Sequence, residues 1–263
     1  MTPPDSEGQP YTRNFYERQS GGSRQSAGET VPLLLQWLRV SSAVDVGCGI
    51  GSWLAVFREH GVTDVLGLDG EYVDRNQLLI PPGQFRPADL ESPPPLDRTF
   101  DLALSIEVAE HLPETAADTF VSYLTTLAPV VLFSAAVPGQ GGWNHVNEQW
   151  PEYWAGRFVE RGYVPIDCLR PLLWHRETVQ YWHAQNILVY VAQRCLGAHP
   201  LLQEMAERTD FRCLARVHPR AYTRAREEAR EIREQLRPEN LPLRQLLRCF
   251  PPALLRAVRR RLF

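Results

Sequence analysis

Short apolar runs alternate with stretches of helical periodicity over residues 31–193. Apolar runs of four to eight residues, bounded by glycine, proline or acidic residues, are typical of strands buried on both faces. The predicted strands cover residues 42–46, 64–69, 84–88, 100–107, 129–135, 163–169 and 186–192. The predicted helices cover residues 31–40, 53–61, 114–127 and 151–162. This alternation predicts an α/β fold in which a doubly wound, mostly parallel sheet carries helices on both faces.

Composition divides the chain into three segments. Residues 1–30 are rich in Gly, Ser, Gln and Pro, and we predict that they form a mobile lead-in. Residues 31–195 carry the alternating pattern and form the predicted core domain. Residues 196–263 form a predicted helical extension, because 15 arginines and 8 acidic residues follow position 200 in largely helical patterns. The rest of the chain is acidic, since the formal net charge of the whole is −3.

Several classes of protein are disfavoured by the composition. No apolar run reaches the roughly 20 residues that a membrane-spanning helix needs, and the N-terminal residues do not resemble a secretory signal. The five cysteines include no C-x-x-C pair, which argues against a disulfide framework and a structural zinc site. We therefore expect a cytoplasmic protein. Residues 241–263 combine apolar and arginine residues, which suits peripheral contact with an anionic membrane, packing on the acidic core or a dimer contact.

A glycine-rich loop follows the first predicted strand. It reads D-x-G-x-G-x-G and contains Asp45, Gly47, Cys48, Gly49 and Gly51. Glycine permits positive φ angles and lets a ligand approach the backbone closely, as nucleoside-binding loops require. A dinucleotide-binding loop has the different spacing G-x-G-x-x-G, so a nicotinamide-dependent oxidoreductase is the weaker interpretation.

Acidic residues end the next predicted strands. Asp69 follows Gly51 after 17 intervening residues, and its two oxygens suit the two hydroxyls of a ribose. The alternative is an acid that caps the next helix. Asp89 and Leu90 follow the third predicted strand, where Asp89 alone is equally typical of a turn, and Glu107 ends the fourth.

In these features the chain resembles the class I S-adenosylmethionine-dependent methyltransferases. The glycine loop is similar to their first motif, and the run from Glu107 to Leu112, Glu-Val-Ala-Glu-His-Leu, is similar to their fourth. The resemblance implies S-adenosylmethionine as cofactor, with Asp89 on the adenine amino group, and a seven-stranded Rossmann-like sheet whose last strand is antiparallel. The cofactor-binding residues that it implies are Asp45, Gly47, Cys48, Gly49, Gly51, Asp69, Asp89, Leu90 and Glu107.

A narrower resemblance concerns residues 134–150 and 185–187, which are similar to a bacterial subgroup of small methyltransferases without an assigned substrate. It implies methyl transfer to a small-molecule or glycan-type acceptor. We expect the acceptor atom to be an oxygen.

The catalytic candidates lie after the fourth and fifth predicted strands. Methyl transfer to an oxygen benefits from a base, and His145 is our candidate because imidazole titrates near neutral pH. The alternative is that His145 only orders its own loop. His111 is a second candidate, although a histidine at this place in the superfamily is often structural. We expect no metal site, because His145 and Glu148 lack a clear third ligand.

Three further interpretations stay open. The arginine-rich extension would suit a nucleic-acid methyltransferase, but the acidic core disfavours that partner. A non-catalytic protein that uses the fold as a scaffold is the alternative outside the enzymes. Tyr16 and Ser26 precede the first strand and are candidates for holding the methionine carboxylate of the cofactor.

Overall fold

The computed structural model describes residues 13–237, 240–242 and 244, with side chains from residue 21 onwards. The strands are β1 (Ser42–Val46), β2 (Asp64–Asp69), β3 (Phe85–Pro87), β4 (Leu102–Ile106), β5 (Val130–Ser134), β6 (Tyr163–Ile166) and β7 (Leu188–Ala192). The helices are α1 (Arg13–Trp37), α2 (Ser52–Glu59), α3 (Ala117–Leu127), α4 (Pro151–Glu160), α5 (Arg170–Leu173), α6 (Tyr181–Asn186), α7 (Pro200–Glu207) and α8 (Pro219–Gln235). Every strand that the apolar runs predict is present, in most cases shorter at its ends.

The seven strands form one sheet in the order β3-β2-β1-β4-β5-β7-β6. The first five strands pair in parallel, and β7 runs antiparallel to both β5 and β6. This arrangement confirms the predicted Rossmann-like, mostly parallel sheet with an antiparallel last strand. The strand order reverses direction between β1 and β4, and in open α/β sheets the ligand lies beyond the carboxyl ends of the strands at such a point.

Alternating side chains of the central strands feed two apolar cores, one on each face of the sheet. In β4, Leu102 and Leu104 join the core that includes α1 and α2, whereas Ala103 joins the core that includes α3 and α4. In β5, Leu132 and Phe133 divide in the same way. Because both faces are covered, these strands appear in the sequence as continuous apolar runs.

The first helix is much longer than the predicted 31–40, since it begins at Arg13 and takes in much of the predicted lead-in. Its small polar residues face the protein: Ser26 and Thr30 are fully buried. The Oγ of Ser26 donates to the carbonyl of Gly22 at 2.9 Å and accepts from the amide of Gln180 at 3.0 Å. Ser26 and Thr30 therefore pack against the protein as part of a helix, which composition alone does not distinguish from a linker.

The chain divides into two compact units between His218 and Pro219. The first unit runs beyond residue 195, because Leu202 and Leu214 are buried and the guanidinium of Arg170 donates to the Leu214 carbonyl at 2.8 Å. In the second unit, α8 buries none of its residues, as expected for a charged helix. The candidate membrane segment 241–263 lies almost entirely outside the described residues. Among the described helices, none is long and apolar enough to cross a membrane.

Candidate functional site

The glycine loop turns tightly at the carboxyl end of β1. The amides of Gly47 and Cys48 both donate to the carbonyl of Leu68 in β2, at 2.8 and 3.1 Å. The φ angles of Gly47, Gly49 and Gly51 are all positive. A Cβ on Gly47 would lie 2.3 Å from a methyl carbon of Val108, so a side chain at this position would force Val108 or the loop to shift. The loop thus brings the end of β1 against both β2 and the segment after β4.

Asp69 ends β2 directly beside this loop. Its Oδ2 accepts from the amide of Gly49 at 2.6 Å, and its Oδ1 accepts from the amide of Gly70 at 2.7 Å and the hydroxyl of Tyr72 at 2.5 Å. Burial raises the pKa of Asp69, while these hydrogen bonds act in the opposite direction. The structure therefore joins the glycine loop and the second-strand acid in one hydrogen-bonded unit.

Asp89 and Leu90 follow β3 on the neighbouring side of Asp69. The amide of Ala88 donates to the backbone carbonyl of Asp69 at 2.8 Å, which fixes the two strand ends together. Asp89 is exposed and accepts from the amide of Glu91 at 3.0 Å, whereas Leu90 is buried. An exposed acid above a buried apolar side chain is compatible with binding the edge and face of an adenine ring.

Asp45 and Cys48 are both buried, which leaves little of either side chain accessible to a ligand. Asp45 lies inside β1 with 2% of its surface exposed, and burial together with the charge of Asp69 raises its pKa to about 7. Burial also raises the pKa of the Cys48 thiol well above its usual value, and the thiol donates to the carbonyl of Gly49 at 3.3 Å. Both residues therefore support the glycine loop from its buried side.

The raised pKa of Asp45 makes stability depend on pH. The folded state holds the proton up to about pH 7, and the unfolded state releases it near pH 4, so stability falls as pH rises between these values. We expect the free energy of unfolding to fall by about 2–3 kcal/mol more in the wild type than in Asp45→Asn between pH 5 and 8. Urea unfolding of the cofactor-free proteins at a series of pH values measures this difference in the free energy of unfolding. The exposed Asp97→Asn should retain the wild-type dependence, and parallel profiles for wild type and Asp45→Asn would contradict the assignment.

Glu107 connects the segment after β4 to β5 and to the loop that follows it. It has a positive φ of 55°, and its amide donates to the carbonyl and the Oγ of Ser134. Its carboxylate accepts from Nε2 of Gln140 at 2.8 Å and Nδ2 of Asn186 at 3.1 Å. Sequence reasoning did not assign a role to these two amides, although residues 185–187 belong to the subgroup resemblance. A residue with positive φ that is held by hydrogen bonds to three other residues is typical of a functional site.

His145 and Glu148 form a hydrogen-bonded pair in the loop between β5 and α4. Nδ1 of His145 donates to Oε1 of Glu148 at 2.9 Å. The amides of Gly139 and Gly141 donate to the same carboxylate at 2.7 and 2.8 Å, which holds it in place. The two side chains are 12% and 18% exposed. Because Nδ1 carries the donated proton, the lone pair of His145 lies on Nε2.

His111 comes together with His145 in space. Their ring centroids are 4.9 Å apart with the rings nearly perpendicular. Burial and the neighbouring His145 lower the pKa of His111 to about 4. Glu110, which sequence reasoning left without a role, lies in the same cluster and is fully buried. Its position directly before His111 in the fourth motif is the sequence signal that places Glu110 near this cluster.

Ser26, one of the two candidates for holding the methionine carboxylate, has a different role in the structure. Both hydrogen bonds of the Ser26 hydroxyl go to backbone groups of α1 and of the segment before α6. Ser26 therefore anchors its helix and does not present a free hydroxyl to a ligand. The side chain of Tyr16 lies outside the described residues.

Comparison with known proteins is consistent with this geometry. A family model described as a methyltransferase domain matches residues 18–176. The chain is similar to the methyltransferase domain of bacterial CtHen1-C, with 20% identity, a TM-score of 0.48 and coverage of 64% of this chain and 97% of that one. It is similar to magnesium protoporphyrin IX methyltransferase from Synechocystis PCC 6803, with 18% identity, a TM-score of 0.46 and coverage of 71% and 90%. A search of curated protein sequences gives no match.

Proposed function

Because the chain belongs to the methyltransferase domain family and is an S-adenosylmethionine-dependent methyltransferase, we propose that it methylates an oxygen of a small metabolite or glycan-type acceptor. The observation that carries the proposal is the Glu148–His145 pair, which lies at the same edge of the sheet as Asp69. Carboxyl ends of parallel strands meet at one edge, so a cofactor held at β1 and β2 and an acceptor held after β5 would face each other.

The cofactor side is formed by the glycine loop, Asp69 and the end of β3. Asp69 would accept the ribose hydroxyls, and the hydroxyl of Tyr72, 2.5 Å from Oδ1, marks a position where a hydroxyl donor fits the carboxylate. The backbone of Gly47–Gly51 would lie against the nucleoside, with Asp89 and Leu90 at the adenine. When bound, S-adenosylmethionine supplies a methyl group on a positively charged sulfur. An acceptor oxygen would attack the methyl carbon in line with the S–CH3 bond, which breaks as the new O–CH3 bond forms.

The acceptor side is formed by the loop after β5. Nε2 of His145 would take the proton of the acceptor hydroxyl, and Glu148 would stabilise the resulting imidazolium because its carboxylate already accepts from Nδ1. His111 is less suited to this task. With a pKa of about 4 it holds a proton too weakly at neutral pH, so His111 is better placed to orient His145 or a ligand.

We expect His145→Gln to lower the rate of methyl transfer by about 100-fold or more, because general-base catalysis typically contributes that much. The affinity for S-adenosylhomocysteine should change by less than about threefold, since Nε2 faces the acceptor. The assay follows transfer of a tritiated methyl group to hydroxyl-bearing metabolites and glycan precursors, to their amine analogues and to RNA. The exposed His175→Gln is the matched control and should behave as wild type.

Two results would contradict the proposal in different ways. Full activity of His145→Gln on a hydroxyl acceptor would show that His145 is not the general base. Methylation of amines or RNA alone would reject the acceptor class while leaving the enzyme a methyltransferase.

A further inference from the structure

Two loops of the site bring three potential metal ligands together. Glu110 and His111 lie in the single helical turn Ala109–His111 after β4, and His145 lies in the loop after β5. One ligand atom from each residue lies within 4.8 Å of the other two. The carbonyl of Glu110 accepts from the amides of Val146 and Asn147, at 2.9 and 3.0 Å, which ties the two loops to each other. The three side chains are therefore held as a fixed set.

Glu110 is the least expected member of this set. Its side chain is fully buried, and among the described residues neither carboxylate oxygen has a hydrogen-bond partner of good geometry. A buried carboxyl group whose oxygens lack hydrogen bonds of good geometry is costly to the fold, which favours a ligand that binds it.

The two histidines have the orientation that metal ligands need. Nδ1 of His111 has no hydrogen-bond partner among the described residues. Nδ1 of His145 donates to Glu148, which leaves the Nε2 lone pair for another partner. A carboxylate behind the second ring nitrogen is the usual way in which proteins orient a metal-binding histidine.

Access to the cluster is from the loop side. Residues 141–144 are exposed, and His145 itself is 12% exposed, whereas Glu110 forms the buried floor. An ion could therefore enter from solvent and keep coordination positions open on its outer side. Three protein ligands with open positions are typical of metal ions that act on substrates.

From this geometry we infer that Glu110, His111 and His145 bind a divalent transition-metal ion. Two imidazoles and one carboxylate suit Zn²⁺, Co²⁺ or Mn²⁺, whereas Ca²⁺ prefers an all-oxygen shell. The ion would lie between the acceptor loop and the segment after β4 and present its open positions to an acceptor oxygen. An ion on Nε2 of His145 occupies the lone pair that would otherwise take the acceptor proton, so in the loaded protein His145 positions the metal and does not act as the base.

The test is titration of the full-length, chelator-treated protein with Co²⁺, followed by its visible absorption and by calorimetry. We expect one ion per chain. Glu110→Gln, His111→Gln and His145→Gln should each weaken binding by more than about 100-fold, and Glu148→Gln by about 10-fold, since it acts through His145. His175→Gln should bind as wild type.

Stability supplies a second readout. Glu110→Gln should leave the melting temperature of the metal-free protein equal or higher, because it replaces a buried carboxyl group whose oxygens make no hydrogen bond of good geometry. If Glu110 served only to stabilise the fold, Glu110→Gln would instead lower the melting temperature of the metal-free protein. Absence of saturable Co²⁺ binding in the wild type, or binding by Glu110→Gln or His145→Gln that equals that of the wild type, would overturn the proposal. Transfer of the tritiated methyl group in the presence of chelator is measured in parallel, so that failure of the metal site is distinguished from failure of the proposed methyl transfer.

Discussion

Asp69→Asn is expected to weaken binding of S-adenosylhomocysteine by about 100-fold, or about 2.7 kcal/mol. A hydrogen bond to a charged group contributes about 1.5–3 kcal/mol, and the substitution removes the charge from both proposed ribose contacts. It also places an NH₂ group opposite the amide of Gly49 or of Gly70, which donate to the two oxygens in the wild type. Calorimetric titration of the purified variants measures the change.

The matched control lies on the same strand. Asp64→Asn changes an exposed acid at the opposite end of β2, where the wild-type carboxylate pairs with Arg98. We expect this variant to bind S-adenosylhomocysteine with less than a twofold change. Equal affinity of Asp69→Asn and wild type would place the nucleoside away from the β2 end. Circular dichroism confirms that each variant is folded.

Gly47→Ala is expected to destabilise the protein by about 3 kcal/mol and to abolish cofactor binding. An alanine in the left-handed region costs about 1–2 kcal/mol. Its Cβ would also lie 2.3 and 2.7 Å from the two methyl carbons of Val108, and such overpacking typically adds about 1–3 kcal/mol. The midpoint of urea unfolding measures the loss.

Gly61 separates the two contributions to this effect. Gly61 has a similar φ of 92°, but a Cβ there meets nothing within 4 Å, so Gly61→Ala should lose only the backbone contribution of about 1–2 kcal/mol. In a Val108→Ala background, Gly47→Ala should cost at least about 1 kcal/mol less than in the wild type. Equal costs at Gly47 and Gly61 would show that close packing on Val108 does not require the glycine.

The fold and the meeting of the glycine loop with Asp69 were predictable because their signals are local. Buried strands appear as apolar runs, and Asp69 ends β2 while Glu107 directly follows β4. Parallel pairing then brings those ends to one edge without any knowledge of side-chain contacts. The glycine spacing is local for the same reason, since each positive φ is a property of a single residue.

The remaining features depend on contacts between distant segments. One partner of Ser26 is the amide of Gln180, 154 residues away, so composition alone predicts a lead-in over residues 1–30 and does not reveal α1 there. The cluster of Glu110, His111 and His145 exists only because backbone hydrogen bonds join two loops after different strands. Sequence reasoning considered His145 with Glu148, found no third ligand and expected no metal. The raised pKa of Glu110 likewise follows from burial, which residue spacing does not reveal.

A crystal structure of the full-length protein with S-adenosylhomocysteine tests the central claim most directly. We predict that both ribose hydroxyls donate to Asp69, that the backbone of Gly47–Gly51 lies against the nucleoside, and that the sulfur faces His111 and His145. A nucleoside bound elsewhere, or a sulfur directed away from the two histidines, would contradict the account of this edge of the sheet as a methyl-transfer site.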